Sequence, residues 1–443
     1  MWGRSPRRLM WGRSPRRLIG PGPGAGRGAV CIETNLRPDL RRGIEGRQLP
    51  SSPAQTADPH RLIVLLSAGA FGSAASMRIA DAQLPALASG FDVSLGDAAN
   101  VITVFSVAYG LMQLVFGPLA DRFGKWQVVS LTVLASAVTA AACALASDYS
   151  ALLWARFAAG ATCAAVIPMA MAWIGDAVPY ERRQAVLARF LTGQILGLAA
   201  GQWLGGLAAD YGLWRAPFAL LSLCFLAAGV LLWRSRQAAL EAAPPQPRSG
   251  HPVREAAEVL RIPWARTVLA VVFLEGVAVY GALAFMATHL HLTFDLSLAR
   301  AGAIVMLFAG GGLLFVTVSA VFVRRLGEAG LARTGGTLMA LALLAAALSP
   351  LWWTAPLACT LLGAGFYMLH TTLQANATQM APQSRGAAVS LFASGLFLGQ
   401  TAGVFVASRL VERFGTAPVL AVGGASLALL GVLFARLRRR RHG

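Results

Sequence analysis

Apolar residues along this chain run in stretches of about twenty, from near residue 62 to near residue 435, separated by short polar turns. A helix rises 1.5 Å per residue, so about twenty apolar residues cross the ~30 Å hydrocarbon core of a bilayer. At that length the pattern predicts spans at 62–87, 98–119, 127–146, 151–174, 186–208, 216–233, 267–288, 299–323, 331–350, 355–379, 387–409 and 416–435. That is an all-α membrane protein of twelve transmembrane helices, and the longest polar break, 234–266, divides them six and six.

The halves repeat. Phe91-Asp92-Val93-Ser94-Leu95 returns 203 positions later as Phe294-Asp295-Leu296-Ser297-Leu298, and Arg122 and Gly124 return as Arg325 and Gly327. In the fifth and eleventh spans Arg183, Phe190, Gly193, Gly197 and Gly201 match Arg385, Phe392, Gly395, Gly399 and Gly403 at an offset of 202. A shared offset in three separated regions marks an internal duplication of a six-helix unit. Parallel repeats of this kind place a transport site between two pseudo-symmetric bundles. The expected organisation is a 1–60 tail, a bundle over 61–233, a linker over 234–266, a bundle over 267–436 and a basic tail over 437–443.

Composition narrows the class. The chain is 56% hydrophobic and 13% charged, with a mean hydropathy of +0.60. The net charge of +19 would suit a nucleic-acid binder, but the apolar stretches exclude one. With both termini inside, the inner loops and their flanks collect twenty Arg/Lys against four outside, a strong positive-inside bias. The expected location is the cytoplasmic (inner) membrane, multi-pass, with both termini cytoplasmic. The five cysteines form no CxxC pair, and four sit in apolar stretches as buried thiols. His289 and His291, two apart near the end of the seventh span with no acid cluster, make no metal site. The tail opens with the nonapeptide MWGRSPRRL in tandem, followed by a Gly/Pro-rich run. Its composition predicts disorder, and the duplication beside a start Met suggests an over-extended gene model.

Several motifs resemble the major facilitator superfamily of transporters, and the likeness covers about 62–436. The run Gly117-Pro118-Leu119-Ala120-Asp121-Arg122-Phe123-Gly124-Lys125 is similar to that family's loop between helices 2 and 3. The resemblance implies a latch between the halves, with Gly117, Asp121, Arg122, Gly124 and Lys125 as a conformational-switch loop. The second half has Arg324 where Asp121 would repeat, so the latch looks one-sided. Arg156-Phe157-Ala158-Ala159-Gly160 resembles the R-x-x-q-G signature of the fourth helix, with Ala159 for Gln. The fifth span reads Gly197-Leu-Ala-Ala-Gly201-Gln202-Trp-Leu-Gly205-Gly206, similar to the antiporter pattern but with Gln202 where that pattern has proline. Gly193, Gly197, Gly201 and Gly205, with Gly395, Gly399 and Gly403 in the repeat, form ridges that admit close helix packing. Together these features look most like the drug/proton antiporter and arabinose-efflux-permease-like branch.

Charges inside spans are the remaining candidates, because each costs roughly 2.5–3.5 kcal/mol to insert unless it has a partner or a wet cavity. Arg78 and Asp81, three apart on the first span, share a helical face, and Asp81 can pair with Arg78 or Arg156. Glu275 and His370 lie at similar depths on the seventh and tenth spans, the symmetry mates of the first and fourth. Asp81, Glu275 and His370 are the proton-coupling candidates. Arg78, Arg156, Tyr280, Tyr367, Gln374 and Asn376 are the cavity and substrate candidates.

The favoured function is secondary active transport of a small molecule by alternating access, as proton-coupled efflux. Its partners are the substrate, protons and the lipid bilayer; no cofactor, metal or nucleic acid is implied, and the expected state is a monomer. A proton-coupled uptake permease of the same fold is the rival. A non-transporting sensor or scaffold gains nothing from the cost of buried charges. No nucleophile elbow or phosphate loop suggests an enzyme. The orientation is checked by thiol labelling of sealed cells on a cysteine-free background. Ser147→Cys labels from outside and Ser249→Cys is shielded; labelling at 249 would invert the topology.

Overall fold

The computed structural model describes residues 59–243 and 252–442. All but the end of the 1–60 tail, and the linker stretch 244–251 with Ser249, lie outside the described residues. The first half holds α1 (Pro59–Arg78), α2 (Leu84–Phe91), α3 (Leu95–Ala98), α4 (Asn100–Phe123), α5 (Lys125–Ala144), α6 (Tyr149–Cys163), α7 (Val166–Ala177), α8 (Tyr180–Asp210) and α9 (Ala216–Arg234). In the linker lie α10 (Arg236–Ala242) and α11 (Pro252–Arg261). The second half holds α12 (Pro263–Leu283), α13 (Met286–Phe294), α14 (Leu298–Leu348), α15 (Ala355–Gln379), α16 (Arg385–Phe414) and α17 (Thr416–His442).

Nine stretches among the described residues are long and apolar enough to cross a membrane. One of them, α14, contains the expected eighth and ninth spans, joined at Gly327 where the backbone leaves helical geometry (φ 62°, ψ 177°). The expected fifth and tenth spans, α8 and α15, are also continuous helices, but polar residues such as Gln194, Gln202, His370 and Gln374 dilute their apolar character.

Three expected spans are not continuous. The first breaks between Arg78 and Leu84, the fourth between Cys163 and Val166, and the seventh between Leu283 and Met286. Pro85 and Pro168 account for the first two: each lacks the N–H that would bond the carbonyl four residues back, at Asp81 and Ala164. The linker also differs from a plain tether. Ala239 of α10 is buried in the core of the first bundle, and Val259 of α11 in that of the second.

The duplication is visible in the backbone itself. The six described residues with positive φ form three pairs 203 apart: Asp92 (52°) with Asp295 (51°), Gly124 (90°) with Gly327 (62°), and Gly212 (68°) with Gly415 (79°). Helix packing repeats as well. A Cβ at Gly197 or Gly201 would strike the carbonyls of Phe71 or Ala75 on α1, and one at Gly399 or Gly403 those of Phe273 or Val277 on α12. Lipid supplies no hydrophobic drive between helices, so this close approach carries the association. Large side chains such as Val138, Trp154, Leu348 and Leu429 point outward, as a bilayer-facing surface requires.

Each half has its own hydrophobic core, drawn almost wholly from residues 62–243 or 259–434. The exceptions lie at the seam. Ala82, in the break of the first span, belongs to the second core; Ala284 and Phe285, in the break of the seventh, belong to the first, as do Val404, Ala407 and Val411 of α16 and Val419 of α17.

Gly201→Ala is expected to cost about 1–3 kcal/mol, because its methyl must displace backbone. Gly310→Ala, whose added Cβ meets nothing within 4 Å, is expected to be neutral or slightly stabilising. Heat-unfolding midpoints of the purified protein compare them; equal effects would dismiss the ridge as the packing determinant.

Candidate functional site

The break after α1 builds the site. Arg78 is the last residue of α1, and Asp81 opens the single 3₁₀ turn that follows. The two therefore meet across a helix break rather than along one helical face. Arg78 Nη1 donates to Asp81 Oδ2 at 3.1 Å, with the side chains 5% and 0% exposed. On its other side the Arg78 guanidinium lies 4.3 Å from the ring centre of Tyr280 on α12, across the seam. A cation over an aromatic face is attracted to the ring quadrupole, more so away from water. The charge pair of one bundle is thus in physical contact with the other.

The second pair lies wholly in the second bundle. His370 Nδ1 on α15 and Glu275 Oε2 on α12 are 2.9 Å apart, and Glu275 is fully buried. One proton lies between them, held by the imidazole when the acid is ionised and by the carboxyl when it is not. His370 stacks on Phe366 at 4.9 Å and has Phe392 at 5.3 Å, which fixes its ring. Phe366 also contacts Tyr280 (5.8 Å) and Tyr367 (5.4 Å), linking the two pairs through an aromatic cluster. Asp81 Oδ1 and Glu275 Oε1, the other oxygen of each carboxylate, have no hydrogen-bond partner among the described residues.

Arg156 serves a different purpose. Its Nε donates to Val101 O at 3.2 Å and its Nη1 to Ser76 O at 3.0 Å, with the guanidinium 4.3 Å from the Phe105 ring centre. Ser76 stands in the last turn of α1, where carbonyls lack intrahelical donors, so Arg156 caps the helix that the break exposes. Asp81 bonds to Arg78 instead, and Arg156 sits inside the first bundle.

Asn376 is also turned elsewhere. It donates to Glu328 Oε2 at 2.9 Å, and Glu328 pairs with Arg438 at 2.6 Å, beside the Gly327 kink. Gln374 is exposed. Tyr367 packs against Gly312 on α14. The expected switch loop is helical except at Gly124, because Gly117–Phe123 end α4 and Lys125 opens α5; Lys125 pairs with Asp176 of its own bundle, while Asp121 and Arg122 are exposed. His289 is satisfied as a neutral ring: Nε2 donates to Ala346 O at 3.0 Å, and Nδ1 accepts from Thr416 Oγ1 at 2.8 Å. His291 Nδ1 donates to Leu296 O at 2.7 Å.

Sequence reasoning missed three features. Pro85 signalled the break that creates the Arg78–Asp81 geometry. Gln400, buried, donates to Ser106 Oγ at 2.7 Å across the seam. Asp210 and Glu412 cross it at the end bearing Asp92 and Asp295. Apart from the site, an apolar groove of about 320 Å³, lined by residues including Val277, Gly281, Gly403 and Leu430, holds none of the charged candidates.

Comparison with known proteins agrees with this architecture. The model of the Major Facilitator Superfamily matches residues 66–404. An uncharacterized MFS-type transporter of Bacillus subtilis, YceJ, is 25% identical over 74% of this chain and 84% of its own. The multidrug export protein EmrB of Escherichia coli K12 is 26% identical over 37% of this chain and 32% of its own. Among solved structures, the nucleoside transporter NupG superposes with a TM-score of 0.69 at 14% identity, covering 84% of this chain and 98% of its own. An inward-facing bacterial homologue of the lysosomal transporter Spinster gives 0.63 at 18% identity, over 87% and 96%.

Arg156→Leu is expected to lower the unfolding midpoint sharply, since each lost bond from a buried cation is worth about 1.5–3 kcal/mol. Arg78→Lys, which can still reach Asp81, is expected to lower it less. An unchanged midpoint with transport lost in Arg156→Leu would return that residue to the cavity.

Proposed function

The chain belongs to the major facilitator superfamily, a transporter family and not an enzyme, and from that premise we propose that it exports a small molecule across the cytoplasmic membrane in exchange for protons. Both termini are cytoplasmic in this reading, on the positive-inside bias, and the chain works as a monomer. The observation that carries it is the Arg78–Asp81 pair set in a helix break and touching Tyr280 across the seam. Broken helices at symmetric positions are where such folds place substrate and coupling-ion sites.

Asp81 is the coupling acid. Ionised, it holds Arg78; protonated, it releases the guanidinium, and the contact with Tyr280 transmits that change to the opposite bundle. A coupling proton biases the two states only through such a differential interaction. Glu275 and His370 form a second protonatable pair beside Tyr280 and Tyr367, where a substrate would lie between the bundles. Asp121 and Arg122, exposed in the last turn of α4, set the balance between the two states rather than touching cargo. Export is supported by the glycine pattern at Gly197–Gly206 and by the export role in EmrB's name. Gln202 in place of proline keeps the rival direction, uptake, in contention, and vectorial transport assays separate the two.

The test is substrate-induced proton movement in proteoliposomes challenged with drug and sugar panels. Asp81→Asn is expected to abolish gradient-driven accumulation while sparing downhill exchange. Glu275→Gln is expected to change affinity or selectivity, by about tenfold if one charged contact of ~1.4 kcal/mol is lost. Proton release that survives in Asp81→Asn and fails in Glu275→Gln would exchange the two roles. A non-transporting scaffold would show no flux with any compound.

A further inference from the structure

Asp210 is the last residue of α8, and Glu412 stands in the last turn of α16, in matched places 202 residues apart. Each reaches across to the other bundle. Asp210 accepts the backbone N–H groups of Leu298 at 2.7 Å and Ala299 at 2.8 Å, at the start of α14. Glu412 accepts the hydroxyl of Ser94 at 2.5 Å, just ahead of the Leu95–Phe123 stretch. The first N–H groups of a helix have no acceptor within it, and its positive end attracts an anion. The Asp210 carboxylate is therefore held by donors that α14 cannot use.

The surroundings of the two carboxylates differ. The Ser94 hydroxyl also lies 2.9 Å from the Asp97 carboxylate, and its single proton serves only one acceptor at a time. Asp97 and Glu412 thus compete for one donor and repel each other, while Arg409, on Glu412's own helix, is 3.8 Å away. The residue matched to Asp97, 203 positions on, is Arg300, next to the N–H groups that hold Asp210. Asp210 meets two backbone donors of its own, whereas Glu412 shares its one donor with a second carboxylate. The backbones also close more tightly at the first. A Cβ at Gly206 would strike the Leu298 carbonyl, and one at Gly302 would come 2.7 Å from that of Gln202.

We propose that Asp210 and Glu412 are paired but unequal bolts that hold this end of the transporter shut. The Asp210 bolt is the strong one, and the Glu412 bolt, weakened by Asp97, yields first when the bundles part. The proposal rests on the alternating-access reading, but its test needs neither substrate nor a proton gradient, so the two can fail separately. Neither acid carries the transported proton; both are positioning residues.

Spin labels at Ser147→Cys and Leu351→Cys, exposed loop positions in opposite bundles, report the opening of this end on a background without the five native cysteines. Asp210→Asn is expected to raise the share of the long-distance population about fivefold, the effect of losing roughly 1 kcal/mol of contact. Asp97→Asn is expected to lower it, because the competing acceptor loses its charge, and Ser94→Ala to raise it less than Asp210→Asn. An unchanged distribution in Asp210→Asn, or a wider one in Asp97→Asn, overturns the proposal. Should Asp210→Asn aggregate, Gly206→Ala wedges the same contact and must open the same end; a closed distribution there is equally fatal.

Discussion

A lipid bilayer offers no water to a stranded polar group, and that constraint governs almost every non-apolar residue in this protein. Lost backbone hydrogen bonds and buried charges each cost several kcal/mol in hydrocarbon unless a protein partner is supplied. The breaks in the first and fourth spans release carbonyls, and the buried arginine of the fourth span donates to one of them, Ser76 O. Arg78 and Asp81 neutralise each other in the same break, and Glu275 and His370 share one proton in the opposite bundle. Such partners serve first to make these charges tolerable in the membrane. A transporter can use them because a pair that shares or loses a proton changes what its neighbours must satisfy.

Duplication supplied two copies of one scaffold, and divergence gave them different chemistry. The positive-φ residues pair at a constant spacing, and the glycine ridges meet the same carbonyl positions in each half. The charges do not follow that symmetry: the position matched to Arg156 is Cys359, and that matched to Lys125 is Glu328. Lys125 ties to Asp176, whereas Glu328 ties to Arg438 and Asn376. The backbone plan therefore sets where helices meet, and local substitutions decide which charges each bundle carries and what they pair with.

The seam joins these roles. Ala82, Ala284 and Phe285, at helix breaks, sit in the core of the bundle opposite their own, together with Val404, Ala407, Val411 and Val419 of continuous helices. Residues in broken segments can change neighbours with less loss of backbone bonding than residues in a continuous helix. The Arg78–Asp81 pair lies in such a segment, with Tyr280 as its point of contact with the opposite bundle.

What the sequence alone determined was whatever depends on one dimension. Span lengths follow from bilayer thickness, the duplication from offsets, and the candidate charges from their cost in hydrocarbon; Asp81, Glu275 and His370 were all found that way. Helix continuity was legible only in part, because Pro85 and Pro168 remove a hydrogen bond without showing whether the span bends or breaks. Tertiary structure alone decided the partners. The sequence left both Arg78 and Arg156 open as partners of Asp81, and it marked Asn376 as a cavity residue where the structure turns it to Glu328. The choice depends on distances between helices and on which carbonyls a break leaves free, and those are set by glycine contacts between segments far apart in the chain. Periodicity records which face of a helix is buried, not which neighbour covers it.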